Sequence, residues 1–316
     1  MKKQVFRLSL LVFFLAATIV SCKKNDNKSN DNYDAEVPVQ SDDQNNFSAQ
    51  MDAVANDANL LFESNSSFSG RAATDQGRLD DVIIGLCNAT FTMDSSGNTR
   101  KITVTYNGAA CTGGYTRTGT VVYSMPSATR WKNAGAVLTV SIQNLVITRV
   151  IDNKSITING THTITNVTGG LLVTLSSQNS ITHAIASDGM SVKFGDGTER
   201  TWKVARQRVF TYNNGIVLTV TGTHTEGNVT NVAEWGTNRF GRPFTSAITQ
   251  PLVVRQDCNF RLVSGQIKHA VPVFSATATF GLNSTGVPVS CPAGNFYVKV
   301  EWTGWNNQAH SIILPY

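Results

Sequence analysis

The sequence predicts an all-β protein: a large antiparallel meander or sandwich-like domain with an internal repeat, preceded by one short helix. Three observations carry this. The chain has 316 residues, of which 36 are Thr and only 15% are charged, against about 25% charged in an average globular protein. Past residue 80, apolar residues alternate with polar ones at a period of two. Short turn sequences separate these runs: Ser96-Gly97, Asn107-Gly108, Asp188-Gly189, Asp196-Gly197 and Asn213-Asn214-Gly215. Connections this short favour hairpins over helical crossovers. A sandwich, a barrel and a single curved sheet all remain compatible with the pattern.

At the N-terminus, Lys2, Lys3 and Arg7 precede the uncharged run Leu8–Val20. Its 13 residues are too few for a spanning helix, which needs about 20, and match the apolar core of a secretory signal. The run ends at Ile19-Val20-Ser21-Cys22. An aliphatic residue, a small residue and then Cys resembles a lipobox, which implies a signal at 1–21 and a lipid on Cys22. Acyl chains of that kind anchor a protein without a spanning helix. The expected address is the cell envelope, at the outer membrane.

Residues 23–75 carry four basic and ten acidic residues, net −6, whereas residues 76–316 carry net +8. Lys23–Gln44 is rich in Asn, Asp and Ser and reads as a solvated tether. Phe47, Met51, Val54, Ala58 and Leu61 then recur at helical spacing, which predicts a short helix over about 47–62, capped by Asn45 or Asn46. Its expected role is to cover apolar surface of the β domain, assigned to 76–316.

Within that domain, Ile102, Val104 and Tyr106 alternate with polar residues, as do Leu138, Val140 and Ile142, then Ile216, Leu218 and Val220, then Phe296, Val298, Val300 and Trp302. One face is aliphatic and aromatic, the other rich in Thr and charge, as in a sheet buried on one side. Residues 160–168 (GTHTITNVT) and 222–230 (GTHTEGNVT) agree at seven of nine positions. Each half of the domain also carries Cys-Asn, an alternating strand and a second Cys, which suggests two related units.

Of five Cys, lipid consumes Cys22; Cys87, Cys111, Cys258 and Cys291 are even in number, as expected of disulfides in an exported chain. The echo between the halves favours Cys87–Cys111 and Cys258–Cys291. A pairing of Cys87 with Cys291 and Cys111 with Cys258 would suit a closed barrel or sandwich.

The run Cys111-Thr112-Gly113-Gly114-Tyr115-Thr116-Arg117-Thr118-Gly119, the later Gly160-Thr161-His162-Thr163 and the segment Arg239-Phe240-Gly241-Arg242-Pro243-Phe244 resemble uncharacterised bacterial envelope lipoproteins of the Bacteroidota kind. The resemblance covers most of 85–300 and implies a lipid-anchored, all-β surface or periplasmic protein. It implies no particular activity.

The strongest candidate for ligand binding is the strand Arg200-Thr201-Trp202-Lys203-Val204-Ala205-Arg206-Gln207-Arg208. Period two places Arg200, Trp202, Arg206 and Arg208 on one face, and guanidinium beside aromatic rings suits anionic sugars or phosphates. The competing expectation is a solvated basic face with Arg stems lying on the rings. Trp131, Trp202, Trp235, Trp302 and Trp305 are candidates for stacking on sugars. A hydrolase acting on carbohydrate would need two carboxylates about 5–9.5 Å apart, to be drawn from Glu199, Glu226, Glu234 and Glu301. His162 and His224 sit at matching repeat positions, but no third metal ligand has a recognised spacing. No nucleophile elbow, Cys/His pair or phosphate loop is present, so no cofactor is implied. The Thr-x-Thr steps recur too irregularly for an ice-binding lattice, and β-branched Thr on the wet face of a sheet explains them. The exported chain's net mature charge of only +2 does not suit nucleic acid. The expected function is therefore a non-enzymatic binding or structural module of the envelope, membrane-attached through its lipid, with a glycan or other anionic envelope ligand as partner.

Overall fold

The period-two alternation becomes strands, and the helical stripe becomes a helix much longer than its apolar residues predict. The computed structural model describes residues 36–70, 89–110, 114–291, 295–304 and 307–316. All of them belong to one unit. Helix α1 (Glu36–Ser64) is followed by the single turn α2 (Ser66–Ser69) and then by β1 (Ala89–Asp94), β2 (Thr99–Ala110), β3 (Tyr115–Pro126), β4 (Ala136–Arg149) and β5 (Ser155–Asn166). The chain continues through β6 (Ile181–Phe194), β7 (Glu199–Tyr212), β8 (Ile216–Gly222), β9 (His224–Glu226) and β10 (Val229–Thr237). It ends with β11 (Pro243–Arg255), β12 (Arg261–Val271), β13 (Phe274–Leu282), β14 (Tyr297–Thr303) and β15 (Ala309–Pro315).

Every pairing is antiparallel, and the strands form one 15-stranded sheet in near-sequential order. It is a meander. Of the meander and sandwich-like forms expected, the chain takes the meander: a single sheet whose buried face packs on α1. Between β7 and β11, one slot is filled by two strands end to end. β10 pairs with Thr201–Val204 of β7, and β8 pairs with Arg206–Tyr212 of the same strand.

Helix α1 has 29 residues, a length of about 43 Å at 1.5 Å per residue. Its apolar stripe packs into the main core with residues of β2 to β7 and Phe244 of β11, while Val37 packs with Ala276, Phe280, Val298 and Val300 of β13 and β14. A single helix that touches strands this far apart in the sheet requires the sheet to curve around it. α1 is accordingly enclosed on most sides: Gln40, Asp43, Gln44, Gln50, Asn59 and Glu63 are buried along with the apolar stripe.

This corrects the N-terminal assignment. Residues 36–44 are not a solvated tether but the first turns of α1, and the helix over 47–62 is part of an element that starts eleven residues earlier. Asn45 and Asn46 lie inside the helix and do not cap it. The stripe of Phe47, Met51, Val54 and Leu61 marks the part buried among aliphatic side chains. The earlier turns bury polar groups, which hydrophobic periodicity does not register. The boundary at residue 75 therefore does not separate a tether from a β domain.

The repeat also resolves differently. Gly160–Asn166 runs within the continuous strand β5, but the second copy spans the end of β8, all of β9 and the start of β10. The two residues that differ explain this. Ile164 and Thr165 continue a strand with Ile164 buried, whereas Glu226 is exposed and Gly227 takes φ +57° in a turn. At Gly222 the chain passes so close to Asn231 that a Cβ would meet its carbonyl oxygen. Matching sequence does not give matching positions here. The echo of the cysteines fares better in one half: Cys258 and Cys291 bracket the β12–β13 hairpin and are disulfide-bonded, with Cα atoms 5.5 Å apart. Cys22, Cys87 and Cys111 lie outside the described residues.

Candidate functional site

Strand β7 delivers the predicted face. Along Glu199–Tyr212 exposure alternates, and Arg200, Trp202, Val204, Arg206, Arg208 and Phe210 all point inward. The face is not solvated: Arg200 is 2% exposed, Arg206 6% and Arg208 1%. Three arginines are sunk beneath α1 on the concave side of the sheet, so neither an exposed binding strip nor a wet basic surface describes them.

Each makes different use of the helix. Arg206 is the best matched. It forms an ion pair with the buried carboxylate of Glu234 on β10, donates to Ser48 Oγ at 3.1 Å and lies 3.4 Å from Asp52. Glu234 also accepts from Ser48 Oγ at 2.8 Å and from Trp202 Nε1 at 3.0 Å. Trp202 packs edge-on against Phe47 with ring centroids 4.1 Å apart. Arg200 donates from Nη2 to Gln44 Oε1 at 3.0 Å and lies 4.5 Å from the Phe244 ring centroid. Its Nε and Nη1 have no acceptor. Arg208 donates to Asn56 Oδ1 at 2.7 Å, and its own Nε and Nη1 are likewise without one. Burial pulls all three guanidinium groups below their usual pKa, Arg200 down to about 10. Neither Arg200 nor Arg208 is bonded to a carboxylate, an arrangement in which desolvation is poorly offset.

Histidines line the same interior. His183 of β6 stands opposite Arg208 in register, between Trp131 and Phe210. Both its ring nitrogens lack partners, and burial, reinforced by Arg208, pushes its pKa down to about 3. His162 of β5 is buried and held down to about 4 by burial. His269 of β12 bonds to Ser246 Oγ at 2.8 Å through Nδ1, and burial with help from Arg200 brings it to about 3. His224, by contrast, stacks on Trp235 at 3.9 Å near the surface and bonds to Glu226 at 2.9 Å. The two repeat histidines therefore do not share an environment.

The six carboxylates of α1 complete the picture. Glu36 pairs with Arg242, Asp42 with Arg149 and Lys154, Asp43 with Arg239, and Asp52 with Arg206. Asp57 accepts from Tyr106 Oη at 2.8 Å and meets Arg117 at 3.4 Å, while Glu63 accepts the N–H groups of Leu172 and Val173. Burial pushes Asp43 and Asp57 above the usual carboxylate range. Burial acts on Asp42 in the same direction, but hydrogen bonds from Arg149 and Lys154 outweigh it and leave Asp42 lowered. An acidic helix thus lies in a basic trough.

No family model matches the chain, and no curated protein and no solved structure is significantly similar to it. What the protein binds must be read from its own residues.

The glutamates proposed for hydrolysis are dispersed. Glu234 is consumed by Arg206, Trp202 and Ser48; Glu199 and Glu226 are exposed in separate hairpins; Glu301 is exposed on β14 and pairs with Lys299 at 2.6 Å. Among the described residues they share no cleft. The tryptophans form no common platform either: Trp131 and Trp202 are buried, Trp235 stacks on His224, Trp302 stacks on His310, and Trp305 lies outside the described residues. The one cluster of possible metal ligands among the described residues, Asp257 with Cys258 and Cys291, has both sulfurs in the disulfide. Sequence reasoning placed Trp131 in a sugar-stacking set and missed His183 and the acidic residues of α1 as parts of the site. The signal that could have found them was the opposite charge of residues 23–75 and 76–316.

Proposed function

We propose that the chain is a lipid-anchored cell-envelope protein, held at the outer membrane through Cys22, whose β unit is a non-enzymatic binding module for an anionic envelope ligand. The observation that carries the binding role is the burial of Arg200 and Arg208 on the concave face with N–H groups that no acceptor meets. Folding tolerates such groups mainly where another role retains them. The anchor rests on the Lys2–Cys22 signal pattern, and the Cys258–Cys291 bond fits an oxidising compartment.

Two experiments test the two parts. Changing Cys22→Ser should move the protein from the membrane pellet to the soluble fraction, and retention in the membrane would contradict the anchor. The full chain with that substitution, applied to an array of anionic and neutral envelope glycans and lipids, should retain anionic species and lose them in Arg208→Gln. Retention independent of ligand charge would contradict the binding role.

A further inference from the structure

The concave face is filled by α1 yet incompletely matched to it. Arg200 and Arg208 each leave two nitrogens without acceptors, His183 leaves both ring nitrogens unpaired, and on the helix Gln40 and Asn59 leave buried amide atoms unmet. The cavities beneath α1 at Val37, His269 and Phe274 and at Met51, His162 and Arg206 measure about 30 and about 10 Å³. That is room for about one water in each. Any larger guest of the arginines must take the place of the helix.

The chemistry of that guest follows from the face. Arg200, Arg206 and Arg208 lie in line on β7, spanning about 27 Å at 3.4 Å per residue. Around them the floor is apolar, formed by Ile142, Ile185, Val204, Trp202 and Phe244. A small anion would satisfy the guanidinium groups but leave this floor open to water. A neutral apolar molecule would cover the floor and leave the arginines unpaired. Helix α1 supplies both properties, carboxylates and an apolar stripe. Its N-terminal half is fastened at the rim by Glu36–Arg242, Asp42–Arg149 and Asp43–Arg239, pairs with one or both partners partly exposed. These pairs are bidentate, yet their partly exposed members stay within reach of water and of a competing anion.

We propose that the concave face around Arg200, Arg206 and Arg208 is a binding site for an anionic amphiphile, a molecule with an acyl chain and an anionic head group, and that α1 is its displaceable intramolecular occupant. This rests on the reading of the β unit as an anion-binding module and adds the ligand class and the closure of the site. A ligand that binds only the helix-displaced state shifts the population toward it, and weakening the rim raises apparent affinity.

The test uses the full chain carrying Cys22→Ser, so that no attached acyl group competes. Dodecyl phosphate below its micellar concentration is titrated beside inorganic phosphate and dodecyl maltoside, with amide hydrogen exchange followed over residues 47–62. The expected result is binding of dodecyl phosphate at least tenfold tighter than either control, with at least tenfold faster exchange in α1 and unchanged exchange in β5 and β6. Asp42→Asn, at the rim, should tighten binding about threefold, and Arg208→Gln should weaken it about tenfold. Dodecyl phosphate binding with α1 still protected, or equal binding of the maltoside, would overturn the proposal. An anionic glycan that binds while α1 stays protected would overturn it too, yet leave the anion-binding module standing. Failure of every anionic probe would remove both.

Discussion

Glu234 holds three side chains at once, and its removal strands the Arg206 guanidinium in the interior. Breaking a buried ion pair from one side costs about 3–5 kcal/mol, because the remaining charge is uncompensated. Glu234→Ala should therefore lower the unfolding free energy by about that amount in urea denaturation, whereas Glu301→Ala, on the exposed face of β14, should change it by less than about 0.5 kcal/mol. Equal effects would show that Glu234 is not buried as described. The histidines give a second residue-scale expectation. His162, His183 and His269 titrate near 4, 3 and 3 in the folded protein, against about 6.5 when unfolded. Below about pH 6.5 the unfolded chain binds more protons than the folded one, so their stabilisation is complete above that pH and declines as the pH falls toward 4. Asp43 and Asp57, with raised pKa values, act in the opposite sense: their contribution is present below the ordinary carboxylate range and is lost as pH rises through the folded value. They oppose the histidines between the ordinary carboxylate range and their raised folded values. The melting temperature should be flat from pH 8 to 7 and fall steadily from pH 6.5 to 4.5; a curve level down to pH 4.5 would contradict the burial of the three imidazoles.

At the scale of the element, α1 decides the architecture. Phe47 is 1% exposed and packs on Trp202, so Phe47→Ala should cost about 3–5 kcal/mol, the range for a buried aromatic. Ala49→Ser, on the exposed stripe of the same helix, should be nearly neutral, and a similar loss in both would mean that α1 is not docked in the orientation described. The helix also shows where sequence reading stops. Phe47, Met51, Val54 and Leu61 announce themselves by spacing, but Val37, Gln40 and Gln44 continue the same buried stripe with two polar members, and their composition resembles a tether. Strand β7 shows the reverse: its alternation was legible to the residue, and only the side of the sheet it faced was not. Period two separates two faces without naming which is wet, and Arg and Trp on one face gave no reason to prefer the interior. Ile164 against Glu226 and Thr165 against Gly227 make a third case, in which two substitutions in nine outweigh seven identities.

For the whole molecule, the all-β meander was legible because hairpin turns and alternation are local signals. The single curved sheet was not, since curvature depends on what the concave side encloses. The charge division between residues 23–75 and 76–316 is visible in the sequence, and in the folded chain it is an attraction between α1 and the sheet. The Cys258–Cys291 disulfide ties the sheet near its C-terminal end. Cys258–Cys291 has a sequence separation of 33, for which the chain-entropy model gives roughly 3–4 kcal/mol. Peptide mapping without reduction should recover that bond and, as the local pairing proposes, a second between Cys87 and Cys111. A peptide joining Cys87 to Cys258 or Cys291 would contradict the pairing.

An acidic helix is folded into the basic concave face and is not a free tether. Amide hydrogen exchange of the full chain without ligand at neutral pH tests it most directly. Residues 47–62 should be strongly protected and exchange far more slowly than a free helix, because their amides are shielded by packing. An isolated helix of this composition is marginal in water and frays rapidly; exchange of residues 47–62 within seconds to minutes, while β5 and β6 stay protected, would contradict the account.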